Sequence, residues 1–87
     1  MAEAKKIVLE VGDKELVFNV SLADYNGYIN AVKADDKVAP SIRFLRNTVD
    51  KSQLDDLNGF IAVGLTMQLT GPVIEAFVPD VEIEVKK

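Results

Sequence analysis

The chain has 87 residues and a formal net charge of -4, with 48% apolar and 28% charged residues. That length and composition predict one folded domain spanning residues 1–87 and exclude both a second catalytic domain and intrinsic disorder. Histidine and cysteine are both absent, which excludes classical triads, thiolate zinc sites and disulfides.

Taken in chain order, Ile7, Leu9 and Val11 alternate with Lys6, Val8 and Glu10, the period of a half-buried strand. A turn at Gly12-Asp13-Lys14 leads into Glu15 to Val20, where Leu16, Phe18 and Val20 face inward, so the two strands form a hairpin. Ser21-Leu22-Ala23-Asp24 has capping-box spacing and starts a first helix, with an apolar stripe of Leu22, Tyr25, Ile29 and Val32. Ala34 to Lys37 is a polar break, and Pro40 is expected as the first residue of a second helix running to about Thr48. Its buried stripe reads as Ile42, Leu45 and Val49 with Phe44 beside it, while Arg43 and Arg46 share the exposed face.

Ser52-Gln53-Leu54-Asp55 repeats the cap pattern and opens a third helix. Beyond Gly59 its apolar residues surround the axis, as in a helix covered on several sides, and Gly71-Pro72 is expected to break or kink it before a last turn or two. Val81, Ile83 and Val85 alternate with Glu82, Glu84 and Lys86, the pattern of a final strand. The expected fold is therefore α+β: an N-terminal β-hairpin plus a C-terminal strand in a three-stranded antiparallel sheet, covered on one face by three or four helices.

No segment carries catalytic or cofactor chemistry. Gly59 to Thr66 has the glycine spacing of a phosphate loop, but Leu65 stands where lysine must neutralise phosphate. Asp35-Asp36, Asp55-Asp56 and the pair Glu82 and Glu84 read as solvated caps or edge acids rather than metal ligands. The expectation is a protein that is not an enzyme and takes no metal or other cofactor. An acidic chain lacking a concentrated basic face is not expected to bind nucleic acid. The start of the chain is too charged for an export signal, and the apolar stretch from Gly59 to Val78 is broken by Gln68 and Glu75, so no membrane span is expected.

Candidate partner contacts are Tyr25 and Tyr28, whose rings have polar tips, and Arg43 and Arg46. The segment from Lys33 to Lys51 holds five basic residues against three acidic ones, enough to dock an acidic protein surface. Met67 is a candidate for self-association if exposed. Core packing of the tyrosines, solvation of the arginines and burial of Met67 are the stronger readings from sequence alone.

The order of elements, with Asp24-Tyr25-Asn26-Gly27-Tyr28-Ile29-Asn30-Ala31, Lys37-Val38-Ala39-Pro40 and Val78-Pro79-Asp80-Val81-Glu82-Ile83-Glu84-Val85-Lys86-Lys87, resembles the tail assembly chaperones of long-tailed bacteriophages and prophages. The resemblance implies a non-catalytic cytoplasmic protein that binds the tape measure protein, helps recruit the tail tube protein, and is absent from the mature virion. It carries no residue-level assignment of contacts. The alternative from another class is a small acidic inhibitor or antitoxin-like binding module, suggested by the net charge and the absent catalytic groups.

Overall fold

The computed structural model describes residues 4–78 and Val85. Strands β1 (Lys5–Val11) and β2 (Lys14–Val20) pair antiparallel, with Ile7 opposite Phe18 and Leu9 opposite Leu16. Gly12, at φ 64°, occupies the first central position of the two-residue turn, where a hairpin of this length needs positive φ. That register puts Ile7, Leu9, Leu16, Phe18 and Val20 on one face, as their alternation predicts. Leu16, Phe18 and Val20 are completely buried, each stabilising the fold by roughly 1.5–3 kcal/mol relative to exposure.

Helices supply that burial. Helix α1 (Leu22–Ala31) begins with the expected reciprocal cap: the Asp24 amide donates to Ser21 Oγ, and the Ser21 amide donates to Asp24 Oδ2, both at 3.1 Å. Its predicted apolar stripe is not the buried one. Leu22 and Ile29 are exposed, and only Tyr25, Tyr28 and Val32 are half-buried on the apolar side, because α1 packs on another helix and lies outside the layer that covers the sheet.

Helix α2 (Val38–Thr48) starts two residues ahead of the expected Pro40. Pro40 still lies in the first turn, where its missing N–H has no intrahelical partner to lose. The buried face is Ser41, Phe44, Leu45 and Thr48, continued by Val49; Ile42 is only half-buried, a phase error of one position in the expected stripe. The hydroxyls on this face are satisfied locally: Ser41 donates to the Lys37 carbonyl at 2.6 Å and Thr48 to that of Phe44 at 2.9 Å.

The segment between α2 and the next helix docks on the outer edge of β2. Phe18 and Val49 form an isolated antiparallel bridge, and the Asp50 amide donates to the Val17 carbonyl at 2.8 Å. In the single 3-10 turn Lys51–Gln53, the Gln53 side chain then mimics a strand. Its Oε1 accepts the Val17 amide at 2.7 Å, and its Nε2 donates to the Glu15 carbonyl at 2.8 Å. The expected Ser52 cap of the following helix is absent, that helix starting after Gln53 with no side-chain cap; Asp50 caps the 3-10 turn instead, accepting from the Ser52 amide and hydroxyl, and those bonds hold its carboxyl below the ordinary aspartate range.

The expected long third helix is two helices. Helix α3 (Leu54–Ala62) ends at Val63-Gly64, and α4 (Thr66–Phe77) follows. Gly64 takes φ 91°, a conformation that costs any L side chain, so the break falls there. The break expected at Gly71-Pro72 does not occur, and both residues lie inside α4. Glycine has no Cβ for the proline Cδ to strike, and Pro72 and Gln68 are both exposed, so water can serve the Gln68 carbonyl that loses its donor.

Nor are these helices covered on several sides. Of α3 only Leu57 is buried, and α4 buries the single stripe Thr66, Leu69, Thr70 and Val73, leaving Met67 41% exposed. Among the described residues the architecture is α+β, with a two-stranded sheet whose inner face is covered by α2 over β2 and α4 over β1. The expected third strand at Val81 to Val85 lies outside the described residues except for Val85, and the described sheet has no third strand.

The two glycines of the α3 segment separate backbone conformation from packing, since a Cβ at either meets nothing within 4 Å. Gly64→Ala is expected to destabilise the fold by about 1 kcal/mol, whereas Gly59→Ala, inside α3, is expected to stabilise it by about 0.5–1 kcal/mol. Urea unfolding followed by circular dichroism measures both.

Candidate functional site

Two adjoining concavities mark the outer side of α1 and α2. The first, of about 320 Å³, lies between the helices; Ala23, Gly27 and Ala31 form one wall, four residues apart along α1. Tyr28 and Phe44 contribute its aromatic surface, with Arg43 and Asn47 on the α2 side. A Cβ at Gly27 meets nothing within 4 Å, so glycine here leaves room for an incoming group. The second concavity, also about 320 Å³, follows α2 along Ala39, Ile42 and Arg46 and shares Arg43 and Asn47 with the first.

Tyr28 is held firmly at this surface. Its ring lies 5.1 Å from that of Phe44, and its hydroxyl is 3.2 Å from Ser41 Oγ. Because Ser41 already donates to Lys37, Tyr28 supplies the proton to Ser41. Arg43 is exposed and has no ion pair among the described residues. Arg46 donates through Nε to Asn58 Oδ1 at 3.0 Å, which orients its guanidinium between α2 and α3. Asp24, the acid beside the first concavity, is occupied by the Ser21 amide.

The five sequence candidates therefore divide. Tyr28, Arg43 and Arg46 come together along the α1 and α2 surface. Tyr25 turns away and stacks on Phe77 at 5.2 Å, joining α1 to the end of α4, and Met67 stands apart on the outer side of α4. Sequence reasoning missed Ala23, Gly27, Ala31 and Asn47, although small residues at intervals of four were a readable sign of a shallow helix face.

Among the described residues no group of three or more acidic side chains is placed to hold a metal ion, and no helix is long and apolar enough to cross a membrane. Gly59 to Thr66 runs from the end of α3 into α4 with no strand before it, unlike a phosphate loop. The surface offers shape, aromatic area and positive charge.

Residues 7–87 match the family model described as phage tail assembly chaperone. The chain belongs to that family. No curated protein and no solved structure matches it. Family membership points to assembly work on phage tail proteins.

Among the described residues the Tyr28 hydroxyl is the one polar tie between α1 and the buried face of α2 at this site. Tyr28→Phe in the chaperone is expected to cost about 0.5–1.5 kcal/mol in urea unfolding, the usual net value of such a bond, with helix content unchanged.

Proposed function

We propose that this chaperone binds the tape measure protein through the joined concavities of α1 and α2, keeps it soluble, and helps recruit tail tube subunits around it in the host cytoplasm. Tyr28, Arg43 and Arg46 are the proposed contacts. The observation that carries the reading is the continuity of the two concavities through Arg43, which sets a cationic rim beside a surface of Ala23, Gly27, Ala31 and two aromatic rings.

A tape measure protein that is long and helical exposes apolar stripes until the tube encloses it, and such stripes drive aggregation. A shallow wall of small residues admits one face of a helix closely, and the rim guanidiniums favour partners with acids along the margin of that stripe. A contact of this size, more grooved than deep, is suited to release when tube subunits compete for the same helix. Tyr25, engaged with Phe77, has a supporting part in this reading, and Met67 on α4 is left for self-association or for the tube protein.

Co-expression with the tape measure protein tests the proposal. The unaltered chaperone is expected to raise its soluble fraction and co-elute with it, and the doubly reversed Arg43→Glu, Arg46→Glu variant is expected to weaken the complex by about 10-fold or more while still folding. An unchanged soluble fraction with the unaltered chaperone contradicts the proposal, as does full binding by the variant.

A further inference from the structure

Arg43 and Arg46 look alike on the free surface but not beneath a bound helix. Ala39, Arg43 and Asn47 are exposed and lie four apart on α2, so they form one ridge along its outer side. A concavity lies on each flank of that ridge. The first runs past Pro40 and Phe44 to α1, and the second past Ile42 and Arg46. Arg43 and Asn47 line both, whereas Arg46 lines only the second. A single helix fills both concavities by straddling the ridge with two rows of its own side chains, crossing α2 at about 50°. Its groove then lies over the middle of the ridge, and the middle of the ridge is Arg43.

Covering Arg43 in this way strips its guanidinium of water, and a buried charge with no opposite charge beside it is costly. Among the described residues the chain supplies none. Arg43 has no ion pair, and Asp24, the one acid lining either concavity, already accepts the Ser21 amide through Oδ2 at 3.1 Å. The carboxylate has to arrive with the partner. Arg46 is under no such demand: it lines one flank only, and its Nε is engaged with Asn58 Oδ1 at 3.0 Å.

We propose, on the reading of this surface as the tape measure contact, that it selects a helix with an aspartate or glutamate inside its apolar stripe, and that Arg43 makes the selection by pairing with that carboxylate. Apolar side chains three or four positions to either side of the acid fill the two concavities, against Tyr28 and Phe44 on one flank and Ile42 on the other. An acid at the margin of the stripe serves Arg46 but leaves Arg43 unpaired. A helix whose stripe is wholly apolar is rejected, because it buries Arg43 alone. The planar fork of arginine meets a carboxylate through two parallel hydrogen bonds, which lysine does not reproduce.

Calorimetric titration of the chaperone with the segment of tape measure protein that it retains, at two salt concentrations, separates a central arginine from a rim one. Both arginines are exposed in the free chain, so their variants are expected to fold. Arg43→Gln is expected to weaken the complex by about 30-fold or more and Arg46→Gln by less than about 5-fold. Arg43→Lys is expected to fall nearer to Arg43→Gln than to the unaltered chain. Raising salt from about 0.1 M to about 0.5 M is expected to erase the Arg46 effect and keep most of the Arg43 effect, since a covered pair is screened less. Binding lost in Arg43→Glu is expected to return when one acid of the segment, flanked on both sides by apolar residues, is changed to lysine. Equal losses at the two arginines, both erased by salt, overturn the inference and leave the tape measure contact standing, as does failure of the rescue at every acid of the segment. No binding by the unaltered chain removes both.

Discussion

A two-stranded ribbon with one apolar face cannot stand alone in water, and most of this structure answers that constraint. Leu16, Phe18 and Val20 are fully buried because α2 and α4 spend their apolar stripes on the hairpin. The side chain of Gln53 and the backbone of Asp50 then close the β2 edge. Closing an edge with a side-chain amide supplies both a donor and an acceptor without another strand, and it fixes the helical layer in register with the hairpin.

Committing α2 and α4 in this way determines what is left outside. Helix α1 buries no residue completely and sits on α2, not on the sheet. Its small residues consequently line a groove, while Leu22 and Ile29 remain exposed. The outer side of α2 carries Arg43 and Arg46 within an acidic chain. The division of labour between the helices leaves the α1 and α2 surface free for the contact proposed above.

Local signals in the sequence were legible where the structure is local. The hairpin alternation, the Ser21 and Asp24 cap and the start of α3 near Leu54 all depend on neighbours within a few positions. The break at Gly64 was not legible, because Gly59, Gly64 and Gly71-Pro72 punctuate the same apolar run and only packing decides which one bends. Pro72 survives in α4 because its lost bond faces water. The stripe of α2 was misphased because buried Ser41 and Thr48 satisfy their hydroxyls within the helix and so behave as core residues, and that of α1 because the helix packs on α2 and lies outside the layer that covers the sheet. The role of Gln53 depends on partners 36 and 38 residues away, which no spacing rule reveals. At the candidate site, Arg43 and Arg46 were visible as an exposed pair, but the groove beside them exists only once α1 lies on α2.

The central claim is that the face not consumed by the hairpin is the working face. Titrating the isotopically labelled chaperone with tape measure protein and following backbone amide shifts addresses it most directly. The account predicts that the largest changes fall at Ala23, Gly27, Ala31, Arg43 and Asn47, with Leu16, Phe18 and Val20 unmoved. Changes concentrated on α4 around Met67, or on the outer face of the hairpin, with the α1 and α2 groove silent, would contradict it.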